Sequence, residues 1–180
     1  MEILLDNQQT CNLTTINLLA FVENGKLNKE KLFEAQKLSA RAGYRMTCTT
    51  LELFDWDLKQ KRDRLLGCSL TGWQDMVNAI NMSKEEQKEL LKLLREKAHE
   101  GMKEVANEVG GNESILVTTV KPEGTLSLLP TVSSGVHYSH SPYFIRRVRV
   151  TAVDPLVKVC EELGYPIYAE NGEDWDTCRT

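Results

Sequence analysis

The run from Ser83 to Val109, SKEEQKELLKLLREKAHEGMKEVANEV, constrains the fold more than any other part of the chain. Leu90, Leu94, Ala98, Met102, Val105 and Val109 recur every three or four residues, which draws one apolar stripe along a helix. Ser83 and Glu86 have the spacing of a capping box at its start, and Gly110-Gly111 ends it. SILVTTV (114–120) follows, rich in β-branched residues, and predicts a buried strand. A long one-faced helix feeding an apolar strand has to lie on a sheet, so the expected class is α/β.

The rest of the chain supports that class. Residues 1–22 are expected to be extended, with Leu4, Leu5, Ile16, Leu18 and Val22 among short polar breaks, and Glu23-Asn24-Gly25 is a turn. Asn28 can cap a helix of about 18 residues with Leu32, Ala35, Leu38 and Ala42 on one face. The stretch 48–64 is polar and mixed, and Trp56 with KQKRDR suggests a solvated turn or a short helix. LLGCSLTG (65–72) is expected to be a short buried strand ending at Gly72, and Trp73 to Ile80 a helix. A loop rich in Gly, Pro, Ser and Thr (121–135), a strand at 143–151 and a helix at 154–163 ended by Gly164 complete the pattern. The tail 168–180 is acidic and polar. With no repeat, low-complexity tract or evident linker, residues 1–180 are expected to form a single domain.

Composition narrows the function classes. A formal net charge of −4 gives no case for binding nucleic acid or an anionic membrane surface. No apolar run reaches the ~18 residues of a membrane span, and the N-terminus lacks the layout of a secretory signal, so a cytoplasmic location is the expectation. The five cysteines, Cys11, Cys48, Cys68, Cys160 and Cys178, are scattered and form no C-x-x-C, which argues against a disulfide framework and a zinc ribbon. His99, His137 and His140 have no metal spacing, and no metal site is expected.

Three stretches carry chemistry. In SILVTTVKPEGTLSLLPTVSSG an expected strand runs into Lys121-Pro122-Glu123-Gly124-Thr125, with Ser127, Thr131, Ser133, Ser134 and Gly135 close behind. Gly124 lets a ligand approach the backbone, and successive N–H groups and hydroxyls make an anion cradle. The same residues also suit an ordinary structural turn. On an extended strand Arg147 and Arg149 fall on one face and Arg146 on the other, fitting either phosphate binding or a charge-protected edge. Near the N-terminus Glu2 offers a base and Cys11 a redox thiol, although each taken alone is an ordinary residue.

Together these residues resemble a known family. MEILLDNQQTCNLTTINL is similar to the active-site stretch of ribonucleotide reductases, where Asn-x-Cys-x-Glu precedes a Cys-Asn-Leu segment. RDRLLGCSLTGWQDM resembles the family's arginine, Leu-Gly, Thr-Gly segment, a weak match by itself. TTVKPEGTLSLLPTVSSGVHYSHSPYFIRRVRV resembles its substrate-phosphate loop, in the form seen in adenosylcobalamin-dependent (class II) triphosphate reductases. The three segments follow the family's order over nearly the whole chain.

The resemblance implies part of a ten-stranded α/β barrel, too short here to close, and reduction of ribonucleoside triphosphates by thiyl-radical chemistry. Glu2 would handle the proton of the ribose 3′-hydroxyl. Cys11 would be the reducing cysteine on the face where the 2′-hydroxyl leaves, oxidised to a disulfide with a partner in an earlier strand. Glu123, Gly124, Thr125, Leu126 and Ser127 would bind substrate phosphates. Asn12, Ser133, Ser134 and Gly135 would lie near substrate or cofactor. Adenosylcobalamin is the implied cofactor, thioredoxin the implied reductant, and a complementing N-terminal reductase fragment an implied partner. The family's radical cysteine would fall one residue before Met1, so an interrupted or truncated gene and a chain inactive alone are expected. Three other readings remain open: a class I or diphosphate-using class II fragment, a non-catalytic complementation module, and a plain nucleotide-binding domain.

Overall fold

The computed structural model of the chain describes residues 3–138, 141, 143, 145 and 147–180, which form two compact units divided after Ser139. Glu2, His140 and Arg146 lie outside the described residues.

In the first unit β1 (Asn12–Asn17) is followed by a 3₁₀ turn at Leu18–Phe21 and a hairpin of β2 (Val22–Glu23) and β3 (Lys26–Leu27). Asn24 and Gly25 both take positive φ in the two-residue connection, the geometry that matches the twist of a tight hairpin. Then come α1 (Lys29–Met46), α2 (Phe54–Asp63), β4 (Leu66–Thr71), α3 (Trp73–Ile80) and α4 (Lys84–Val109). β1 and β4 pair in parallel, Asn12 opposite Leu66 through Asn17 opposite Thr71. Parallel neighbours need crossover connections, and here α1 and α2 lie in the connection from β1 to β4. The class is α/β.

The expected helix starts are present. The Asn28 side chain accepts from Lys31 N, and the Ser83–Glu86 capping box is complete. The buried face of α1 differs from expectation: Leu32, Gln36, Ala40, Gly43 and Tyr44 point inward, while Leu38 and Ala42 are exposed. Close packing is the reason. At Gly101 of α4 a Cβ would come within 2.4 Å of Lys37 O, so small residues, and not the largest apolar ones, occupy the seam between α1 and α4.

The expected strand 114–120 is reduced to one parallel bridge between Thr118 and Cys68. Leu66 N donates to Leu116 O and Cys68 N to Val117 O, so two residues on β4 advance against one on its partner. That one-residue slip breaks the ladder, and Ile115 and Val120 are left exposed. The extended stretch expected over 1–22 is likewise shorter, since Asn17 caps the 3₁₀ turn through Leu19 N.

Side chains alternate across this sheet. Leu66 and Cys68 pack with Ala40, Tyr44, Ala98, Met102 and Val105, and Leu70 joins Leu32, Met76, Leu90 and Leu94. Each fully buried Leu, Val or Met among them contributes about 1.5–3 kcal/mol. The opposite face carries Leu13, Thr15, Gly67, Ser69 and Thr71, and it is the face that meets the loop after Thr119.

The second unit contains β5 (Val150–Thr151), α5 (Pro155–Glu162) and β6 (Cys178–Arg179), with β5 and β6 antiparallel. Asp154 caps α5 through Leu156 N, and Gly164 follows it at positive φ. Of the strand expected at 143–151 only β5 forms among the described residues, because β6 offers just two residues to pair with. Phe144 lies outside the described residues.

Candidate active site

The loop 121–135 is fixed to the non-helical face of the sheet by residues far away in sequence. Lys121 N donates to Ser69 Oγ at 3.0 Å. The Glu123 carboxylate accepts from Thr15 Oγ1 and faces Lys121 Nζ at 3.4 Å. Ser133 is held on both sides: its N–H donates to Asp75 Oδ2 at 2.5 Å, and its carbonyl accepts from Gly72 N at 2.8 Å and Thr71 Oγ1 at 3.1 Å. Gly135 N donates to Thr71 Oγ1 at 3.2 Å. Gly135 has φ +55°, and a Cβ there would sit 2.7 Å from Lys121 O, so the close return of the loop onto its own start requires glycine.

Inside the loop Ser127 N donates to Glu123 O at 3.1 Å, Val132 N to Ser127 O at 3.0 Å, and the Ser127 and Ser134 hydroxyls lie 2.9 Å apart. A 3₁₀ turn at Leu126–Leu128 results. The N–H groups of Thr125 and Leu126 find no acceptor among the described residues. A Cβ added at Gly124 would meet nothing within 4 Å. Exposed N–H donors beside open space can receive an anion.

Cys11 lies on the same face of the sheet as this loop. Its Sγ would be 3.2 Å from a Cβ at Gly67, where Leu13 Cδ2 at 2.3 Å and Thr119 Cγ2 at 2.9 Å would also have to give way. The approach to Cys11 is tied down on α2: Gln9 Nε2 donates to Asp63 Oδ2 at 2.7 Å, and Thr10 Oγ1 to Gln60 Oε1 at 2.9 Å. The Arg62 guanidinium, with Gln9, holds the Asp63 carboxyl below the ordinary 3.8 despite its burial. Cys68, one strand over, faces the helices, and burial pushes its thiol up against the pull of hydrogen bonds to Thr14 and Ser39.

Of the expected site residues, Glu123, Ser127, Ser133, Ser134 and Gly135 come together in the anchored loop, Thr125 and Leu126 sit at its exposed turn, and Cys11 shares its face. Asn12 is turned elsewhere, its Nδ2 donating to Gln60 Oε1 at 3.3 Å. Thr15, Gly67, Ser69, Thr71 and Asp75 were not singled out by sequence. For Gly67, Ser69 and Thr71 the signal was the small or polar residue at every second place in LGCSLT, which marks a second, non-core face on an otherwise buried strand; Thr15 and Asp75 left no such mark.

The chain as a whole is similar to known proteins. A protein named adenosylcobalamin-dependent ribonucleoside-triphosphate reductase, from Lactobacillus acidophilus, is 30% identical over 94% of this chain and 26% of its own length. Similarly named proteins from Lactobacillus leichmannii (28% identical) and Lacticaseibacillus paracasei (30% identical) match 94% and 92% of the chain. This chain is similar to class II ribonucleotide reductases. The solved structure of a B12-dependent (class II) ribonucleotide reductase superposes with a TM-score of 0.78 at 24% identity, over 99% of this chain and 27% of that one. An Actinobacillus ureae class Id reductase alpha subunit superposes less closely, with a TM-score of 0.52 at 22% identity over 93% of this chain and 32% of that one. The chain thus spans about a quarter of the length of the curated reductases it matches. No family profile matches it.

Proposed function

We propose that this chain is the reducing-thiol and substrate-phosphate portion of a class II ribonucleoside-triphosphate reductase. Residues 1–180 act as one piece of a ten-stranded α/β catalytic barrel, in the cytoplasm. One observation carries the reading: Cys11 and the loop 121–135 lie on one face of one sheet, with the helices on the other.

In this reading the exposed turn at Gly124, Thr125 and Leu126 receives the triphosphate, with Ser127, Ser133, Ser134 and Gly135 backing it. Binding energy at the phosphates orients a ribose several ångströms away. Cys11 and a second thiol outside this chain become a disulfide as the 2′ C–OH becomes C–H and water leaves, and thioredoxin resets the pair. Glu2 takes the 3′-hydroxyl proton.

Adenosylcobalamin would supply the radical in the complete enzyme. The described residues do not fit it by themselves: the cleft of about 820 Å³ lined by Arg147, Arg149, Tyr168, Ala169 and Asn171 is mostly charged and polar, with only Tyr168 and Ala169 to face a corrin ring. The roles of Cys11 and the loop do not depend on it.

In this reading the chain works together with a complementing N-terminal reductase portion and gives no product by itself. Incubation with a ribonucleoside triphosphate, adenosylcobalamin and reduced thioredoxin is expected to give no deoxynucleotide. Adding the N-terminal part of a related reductase is expected to give product that disappears with Cys11→Ser. Product formed equally by Cys11→Ser would refute the role of the thiol.

A further inference from the structure

Glu123 is an odd member of an anion-binding loop, since a carboxylate aimed at phosphate would repel it. Its side chain is aimed elsewhere. Glu123 is 3% exposed, one oxygen accepts from Thr15 Oγ1, and the other faces Lys121 Nζ at 3.4 Å. Its backbone has φ +55°, a region that non-glycine residues enter only when held there. The Glu123 carbonyl also accepts from Ser127 N, which opens the turn that carries the exposed Thr125 and Leu126. The side chain and main chain of one residue thus hold both the position and the shape of the loop.

We infer that Thr15 and Glu123 form a latch that positions the phosphate loop on the strand leading from Cys11, and that Glu123 is a positioning residue with no phosphate contact. Thr15 lies four residues beyond Cys11 on the same face, about 13 Å along an extended strand at ~3.3 Å per residue. Fixing the loop at Thr15 therefore fixes how far a bound phosphate stands from the reducing thiol. Buried carboxylates that lose a partner are strongly unfavourable, so the latch holds only when both members are present. Lys121 offsets the charge that remains. The distance-setting part of this inference rests on the proposed phosphate site, whereas the latch itself does not.

The test uses the full chain with three variants: Thr15→Val, which keeps the shape and removes the hydroxyl, Thr15→Ser, which keeps the hydroxyl, and Glu123→Gln. Two quantities are measured, with far-UV circular dichroism confirming the fold of each variant. The first is amide hydrogen exchange at Ser127 and Val132 without ligand. The second is equilibrium binding of a ribonucleoside triphosphate and of the phosphate-free nucleoside. Thr15→Val is expected to speed exchange and to weaken triphosphate binding, each by about tenfold, the scale of one charge-assisted hydrogen bond, with nucleoside binding unchanged. Thr15→Ser is expected to restore both, and Glu123→Gln to fall between. Unchanged exchange in Thr15→Val and Glu123→Gln overturns the latch. Faster exchange in Thr15→Val, with a parent chain that binds no triphosphate, supports the latch and overturns the phosphate site. Normal triphosphate binding in a loosened Thr15→Val overturns the positioning role.

Discussion

The two units use apolar residues in opposite ways. In the first, leucines and valines from α1, α3, α4 and β4 close on one another, and Leu18, Leu32, Leu66, Met76 and Leu94 are buried. In the second, Val157 is the buried apolar side chain among the described residues, while Val153 is 88% and Leu156 61% exposed. Both have an amphipathic helix with a good cap. A cap and a pattern start a helix, but only a facing surface makes its apolar stripe stabilising, and an eight-residue helix cannot supply that surface alone. The lesson is that α5 carries an apolar stripe that finds little facing surface among the described residues of its unit.

The contrast predicts unequal costs of truncation. Leu94→Ala, at a position 1% exposed, should lower stability in urea unfolding by about 2–5 kcal/mol. Leu156→Ala should change it by less than about 0.5 kcal/mol. Equal effects would erase the distinction between the units. Next in size is Gly67→Ala, whose Cβ would meet Leu13, Thr119 and Cys11, with an expected loss of about 1–3 kcal/mol in the same assay.

The core of the first unit also contains a defect. Gln36 is 2% exposed, and its Oε1 finds no donor among the described residues. Gln36→Met should raise the urea midpoint, with a gain of about 1 kcal/mol, because it removes an unsatisfied acceptor at similar volume. A lower midpoint would show that Gln36 has a partner in solution.

A smaller effect is expected from pH. Burial, then Arg95 and Lys103, hold the His99 imidazole below its ordinary 6.5. The unfolded chain then takes up the proton more readily than the fold. Stability is complete above 6.5 and falls as pH drops from there toward the lower folded value. Urea midpoints at neutral and mildly acidic pH should differ in the parent and differ less in His99→Gln, and a flat parent profile would contradict the burial of His99. Smallest of all is the outer end of the ladder joining Lys37, Arg41 and Arg45 to Glu100, Glu104 and Glu108, where Arg45 is exposed. Arg45→Ala should cost only a few tenths of a kcal/mol, about 0.2–0.5, and nothing in high salt.

Much of the first unit was legible because its signals are local. The Ser83–Glu86 box, the Asn28 cap and the Gly72 and Gly110 stops belong to the elements they bound. The inward face of α1 was not legible, since periodicity ranks Leu38 above Gly43 and only the close approach of α4 reverses that order. The bridge at Thr118 was read as a full strand because a register slip leaves no mark on composition. At the site, the loop from Lys121 to Gly135 announced itself through Gly, Ser and Thr. Its anchors did not: Thr15 lies 108 residues from Glu123, and Asp75 lies 58 from Ser133. Such partners are decided by the order of strands in the sheet.

The central claim, that the loop 121–135 is the phosphate site of a reductase, is tested most directly by nuclear magnetic resonance. The chain, labelled with nitrogen-15, is titrated with a ribonucleoside triphosphate and separately with the nucleoside. The account predicts shifts at the amides of Gly124, Thr125, Leu126 and Ser127 with the triphosphate and none there with the nucleoside. Triphosphate shifts confined to other parts of the chain, such as the Arg147 and Arg149 cleft, would contradict it.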